Sequence, residues 1–217
     1  MKIAVLGTGI VGNTIGSKLI ELGHEVRMGS RSATNEKAAE WVGKNGSRAS
    51  QGTFADAAAF GEVVFNCTSG VASVEALGLA GAENLNGKLL VDVANPLDFS
   101  KGMPPTLTVC NTSSLGEDIQ RAFPGARVVK TLNTMWCGLM VNPSLVQEGD
   151  HTVFVSGNDA VAKEEVKALL GSFGWDDKSI VDLGDITTAR GTEMMLLLWV
   201  TLYGAKNTGA FNLKVVG

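Results

Sequence analysis

Residues 2–32 read KIAVLGTGIVGNTIGSKLIELGHEVRMGSRS. An apolar run meets Gly7-Thr8-Gly9-Ile10-Val11-Gly12, and the following residues, 13–22, carry Ile15, Leu19, Ile20 and Leu22 at helical spacing. A G-x-G-x-x-G pattern between a strand and a helix acquires a mechanism from that context. The first glycine permits a tight turn, the second lets backbone approach a pyrophosphate, and the third lets the helix pack closely on the strand. Free amides and the positive end of the helix dipole then face the phosphates, with the Thr8 hydroxyl as a further donor. A strand-to-helix turn that needs glycine for geometry alone is the other reading of the same residues. The position after the first strand of the chain favours the phosphate turn.

One strand later the sequence reads Met28-Gly29-Ser30-Arg31-Ser32. A site for NAD is expected to carry a carboxylate at this tip, about 20 residues past the turn, for the ribose hydroxyls. Glu25 stands at the wrong end of the strand, and the next acid is Glu36. Ser30 offers a hydroxyl and Arg31 a planar, permanent cation, groups suited to a 2′-phosphate. NADP(H) is therefore the expected cofactor, with Lys37 adding to the positive field.

The 217 residues are 45% hydrophobic and 18% charged, enough for one well-filled core. A net charge of −4 and a pI near 5.2 provide no broad basic field, so nucleic acid is a poor partner and a small molecule the better one. Three widely spaced cysteines, Cys67, Cys110 and Cys137, fit neither a disulfide framework nor a zinc site and suit a reducing cytoplasm. No metal is expected. The opening MKIAVLG lacks the long apolar stretch of a signal peptide. The apolar block of residues 194–205 is short of the roughly 20 residues that span a bilayer, so no membrane segment is expected and the block reads as a buried helix.

Strand-like runs at 2–6, 25–28, 48–51, 63–67, 89–93 and 126–130 alternate with helical segments, including 13–22 and 36–44. Residues 95–105, with three prolines, read as a loop. Further strands are expected at 152–156 and 180–183, and helices at 160–170 and 187–206. The predicted class is α/β. A Rossmann-type doubly wound parallel sheet occupies residues 1–135, and a small C-terminal α/β extension, 136–217, ends in a long apolar helix whose apolar face suits a homodimer contact.

The blocks GTGIVG, GSR, VVFNCTSG, LLVDVANPL and RVVKTLNTM, and a final ARGTEMMLLLWVTLYGAKNTGAFNLKVV, occur in that order. Together they resemble the NADPH-dependent coenzyme F420 reductase family, to which the oxidoreductase domains of the STEAP metalloreductases are related. The resemblance spans almost the whole chain. It implies an oxidoreductase that exchanges a hydride between NADP(H) and a flavin or deazaflavin ring, as a homodimer. It assigns Thr8, Ile10 and Val11 to the pyrophosphate loop and Ser30 and Arg31 to the 2′-phosphate. Thr68, Ser69 and Gly70 would line the middle of the cofactor, although Thr68 and Ser69 equally suit capping of the next helix. Ala94 and Asn95 would lie near the nicotinamide.

Residues 130–134 follow the sixth strand and suggest a pocket floor, with plain exposure explaining Lys130 equally well. Several deazaflavin reductases carry a histidine and then a proline where this chain has Asn133 and Trp136-Cys137. FMN and FAD therefore stand beside coenzyme F420 as expected second substrates. Asn133, Thr134 and Trp136 are the pocket candidates, Trp136 either stacking on a ring or anchoring core or dimer. Met194, Met195 and Trp199 fit a buried stripe or a flavin-facing wall.

Hydride transfer between two conjugated rings needs no protein nucleophile or metal. Neither His24 nor His151 is expected at the cofactor end of the sheet, which disfavours a Ser-His-Asp hydrolase. Two other functions stay open. One is an NADPH-dependent reductase of a small carbonyl or imine, with Lys206 as candidate acid, and the other is a non-catalytic NADPH-sensing module.

Overall fold

The computed structural model describes all 217 residues. Its first half runs β1 (Lys2–Leu6), α1 (Ile10–Glu21), β2 (Glu25–Ser30), α2 (Glu36–Asn45), β3 (Ala49–Thr53), α3 (Phe54–Phe60), β4 (Val63–Asn66), α4 (Gly70–Ala80), α5 (Ala82–Leu85) and β5 (Leu89–Asp92). The second half runs β6 (Leu97–Asp98), β7 (Thr106–Leu107), α6 (Leu115–Ala122), β8 (Arg127–Thr131), α7 (Cys137–Val141), β9 (Val153–Gly157), α8 (Ala160–Ser172), β10 (Ile180–Asp182), α9 (Ala189–Met194) and α10 (Leu196–Lys206).

Eight strands form one sheet in the order β10-β9-β8-β5-β4-β1-β2-β3. Strands buried on both faces read as continuous apolar runs, because alternate residues serve opposite layers. Ile3 and Val5 belong to a core with Ile15, Leu19 and Trp41, while Ala4 and Leu6 belong to the other with Ala57, Leu77 and Ile119. The first of these cores continues without a break into Leu139, Val153, Val166 and Trp175.

The six strands from β3 to β8 are mutually parallel, as the strand–helix alternation predicts. The last two are not. β9 runs antiparallel to β8, and β10 follows β9. Between Leu132 and Thr152 the chain makes only the short α7 and two 3-10 turns, so there is no crossover helix to carry it back over a face. It re-enters the sheet from the end at which it left. That reversal puts His151 at the cofactor end, contrary to the expectation. Its ring is nevertheless fully engaged: Nε2 bonds the Pro143 carbonyl at 2.9 Å, Asn212 Nδ2 donates to Nδ1 at 2.8 Å, and Trp175 packs edge-on at 5.0 Å.

Two further expectations need correction. Residues 95–105 are not simply a loop, because β6 pairs with β7 in a small hairpin, Leu97 opposite Leu107 and Asp98 opposite Thr106. Pro96, Pro104 and Pro105 lie outside its paired positions, so no ladder donor is lost. Residues 194–205 are not a buried helix: in α10 only Leu196 and Val200 are buried, while Leu197, Leu198 and Tyr203 are exposed. None of the α10 residues joins the two cores that flank the sheet; α10 instead stacks Trp199 on Phe211 of the C-terminal segment, with 5.5 Å between ring centroids. No helix is long and apolar enough to cross a membrane.

Candidate nucleotide site

The glycine turn joins β1 to α1 by close backbone contacts. Gly7 has φ +118, and a Cβ there would lie 2.6 Å from the Cys67 carbonyl oxygen. A Cβ on Gly12 would lie 2.1 Å from the Gly7 oxygen, so α1 packs on the turn only without a side chain. Gly9 precedes the first residue of α1, and a Cβ on it would meet nothing within 4 Å: this is the open side. Asn13, which the sequence did not single out, donates through Nδ2 to the carbonyls of Thr8 and Gly9, both at 2.9 Å, and pins the turn. No acid stands in the first turn of α1 to oppose an anion.

From this turn a cleft of about 320 Å³ runs over the C-terminal ends of β2, β1 and β4. Gly7, Thr8, Gly9, Ser30 and Arg31 line it, with Cys67, Thr68 and Ser69 across from them. Asn35, Phe54, Ala72 and Ala76 complete the wall; they come from the N-cap of α2 and from α3 and α4, and carry no signal a motif could have found. Through Cys67, Thr68 and Ser69 the cleft meets a second cavity of about 210 Å³, lined by Val11, Gly70, Val93, Ala94, Asn95, Leu97 and Phe99. Thus most of the expected cofactor residues come together along one groove. Three line neither cavity: Gly12 is buried beneath the turn, Ile10 is 71% exposed on its outer side, and Lys37 is exposed on α2.

At the β2 tip, the buried Ser30 hydroxyl donates to the Ser32 carbonyl at 2.6 Å, and this tight turn presents Arg31 to solvent. The Arg31 guanidinium has no hydrogen bond or ion pair within the chain. A free cation at one end of a cleft, near bare helix amides, suits an anion. Thr68 does not cap α4: its hydroxyl donates to Asn66 Oδ1 at 2.6 Å and meets Ser73 Oγ at 2.9 Å. Ser69 stands at the N-cap of α4 but makes no side-chain cap.

Below the groove the strand register lines up Asn66, Asp92, Lys130 and Ser156 on β4, β5, β8 and β9. All four are buried, which corrects the surface reading of Lys130. Lys130 Nζ reaches Asp92 Oδ2 at 2.6 Å, the Ala94 carbonyl at 2.8 Å and Glu193 Oε1 at 2.8 Å. Asp92 Oδ1 accepts from Asn66 Nδ2 at 2.8 Å and the Ala94 amide at 3.1 Å. Glu193 accepts from the Leu115 and Gly116 amides at the start of α6, at 2.7 and 3.0 Å. Burial alone pulls the lysine down, but the two carboxylates outweigh it and hold its pKa above the ordinary value. Burial, and then the Asp92 charge, push the Cys67 thiol up from its ordinary value.

Of the pocket candidates, Asn133 is buried and makes a reciprocal pair with Asn95, its Nδ2 donating to Oδ1 at 2.9 Å and its carbonyl accepting from Asn95 Nδ2 at 2.8 Å. Thr134 is buried beside it. Trp136 is 38% exposed and packs against Gly138 and Gly209, where a Cβ would clash with it. Asn133 therefore ties the loop after β8 to the groove wall.

A glycine turn opening α1, a groove across the ends of parallel strands and a free arginine at the second strand's tip define a dinucleotide-binding protein of Rossmann type. The model of the family described as NADP oxidoreductase, coenzyme F420-dependent, matches residues 2–96. A solved structure from Arthrobacter sp. FB24, provisionally assigned as an F420-dependent NADP reductase, is 55% identical, covers 100% of both chains and superposes with a TM-score of 0.94. The chain belongs to this family of F420-dependent NADP oxidoreductases. Metalloreductase STEAP3 of Rattus norvegicus is 27% identical over 204 residues, which is 90% of this chain and 36% of that protein's length. A reductive aminase from Aspergillus terreus, solved with NADPH4, cyclohexanone and allyl amine, shares the fold at 19% identity and a TM-score of 0.66, over 95% of this chain and 62% of its own.

Proposed function

We propose that this NADP-dependent oxidoreductase transfers a hydride between NADP(H) and a flavin or deazaflavin ring such as FMN, FAD or coenzyme F420. The observation that carries the reading is the groove itself: it runs from a free arginine, past bare helix amides, to an apolar end at Val11, Leu97 and Phe99. The residues fit the cofactor. The turn amides of residues 8–11 hold the diphosphate, Arg31 the 2′-phosphate from a tip that the Ser30–Ser32 hydrogen bond shapes, Thr68, Ser69 and Gly70 the middle, and Ala94 and Asn95 the nicotinamide end. When bound, the nicotinamide supplies or accepts the hydride. The chain's part is positioning and exclusion of water: Val11, Leu97 and Phe99 give the reacting end apolar walls, and the Asn95–Asn133 pair fixes the segment that borders it. Asn133, Thr134 and Trp136 border the acceptor side in this assignment, and residues 136–217 supply the remainder of the acceptor site.

The 2′-phosphate assignment makes a direct demand on Arg31. Arg31→Ala is expected to reduce the preference for NADPH over NADH by roughly 1.5–3 kcal/mol, the usual worth of a hydrogen bond to a charged group. Steady-state kcat/KM with each nucleotide measures it. An unchanged ratio would remove the second-strand tip from the site.

A further inference from the structure

We infer that Lys130 is a positioning residue for the nicotinamide end of the groove, acting through the peptide between Ala94 and Asn95. The inference rests on the cofactor orientation proposed above. Lys130 is fully buried, on the strand beside Asp92, and does not line the groove. One of its three Nζ partners is not a carboxylate but the Ala94 carbonyl, at 2.8 Å. Asp92 in turn accepts the Ala94 amide at 3.1 Å, so one ion pair grips both polar groups of a residue that does line the groove.

Holding that carbonyl down on Lys130 has a consequence in a planar trans peptide. The Asn95 N–H must point the opposite way, away from the buried ammonium. This N–H has no acceptor within the chain, whereas the two amides before it, of Val93 and Ala94, do. A backbone donor left open beside a groove needs a partner there, and an oxygen of the bound ligand, such as a carboxamide carbonyl, has the right chemistry. A buried ion pair adds little net stability over apolar residues of the same size. What this one adds is the orientation of a single peptide. Glu193 completes the charge pattern from α9, joining Lys130 to the start of α6.

The test separates the two ends of the groove. Lys130→Met alone leaves two carboxylates buried without a counter-charge, so the working variant is K130M/E193Q, which keeps the cluster's net charge at that of wild type. Glu193→Gln alone, which retains Lys130 on Ala94, is the reference. Binding of NADP and of adenosine 2′,5′-bisphosphate, which reaches only the Arg31 end, is measured by calorimetry, with a thermal melt of each protein. Relative to E193Q, the double variant is expected to bind NADP about tenfold more weakly and the bisphosphate within about twofold.

Equal weakening of both ligands, or of neither, overturns the positioning role. Loss of a cooperative melt in the double variant assigns Lys130 to folding and overturns it too. Wild-type protein that binds neither ligand overturns the cofactor assignment itself, a result distinct from the other two.

Discussion

Replacing Lys130 alone by methionine is expected to cost about 3–5 kcal/mol of folding stability, because it strands Asp92 and Glu193 as buried charges without their cation. The sign of the pH dependence follows from the same cluster. In wild type the lysine's folded-state pKa is raised, so its contribution is complete below the ordinary lysine value of 10.5 and is lost as pH rises through the folded one. In the variant the carboxylates gain from taking up a proton in the folded state. The folded chain then binds more protons than the unfolded one, and stability rises as pH falls. Urea unfolding at about pH 8 and about pH 5 is expected to show the larger deficit at the higher pH. A deficit under about 1 kcal/mol, within the range of an ordinary substitution, would mean that the cluster is not held as the ion triad described.

Two alanine substitutions three residues apart in the glycine turn are expected to fail in different ways. Gly12→Ala places a methyl 2.1 Å from the Gly7 carbonyl oxygen, and neither backbone can yield without moving α1 off β1. A loss of about 3 kcal/mol of stability, at the upper end for overpacking, is expected together with loss of NADP binding. Gly9→Ala meets no atom within 4 Å, and its φ of −77 is open to any residue. Its melting is expected to match wild type within about 0.5 kcal/mol. Its NADP affinity is expected to fall on the order of tenfold, because the methyl occupies the side of the turn that the diphosphate must approach. Calorimetric titration with NADP alongside thermal melts reads both. A Gly9→Ala protein that binds NADP as wild type does would take the turn out of the site.

The opening third of the chain was legible because its signals are local. Glycines at fixed offsets, an apolar run and a helical stripe all lie within a few residues of the contacts they make. Arg31 was legible for the same reason, since a missing carboxylate shows at one position. Strand direction was not: an apolar run reads the same whichever way it crosses a sheet, so the reversal at β9 has no local sign. The burial of Lys130 was not legible, because its partners lie 38 and 63 residues away in sequence, at Asp92 and Glu193. A signal did exist. β5 ends on Asp92 and β8 carries Lys130 one residue before its end, and pairing those strands in register sets the opposite charges side by side. Exposure of α10 was illegible in principle, because apolar composition does not say whether another element of the same chain remains to be covered. Asn133 had its place but not its partner, the Asn95 side chain.

The most direct test of the proposed function follows NADPH oxidation by the wild-type protein with coenzyme F420, FMN, FAD and a set of small carbonyl and imine compounds as acceptors, with NADH in parallel. The groove described here predicts turnover with at least one of the flavin or deazaflavin acceptors, none with the carbonyls and imines, and a preference for NADPH over NADH. Turnover confined to carbonyl or imine acceptors, or none with any acceptor by a protein that binds NADPH, would contradict it.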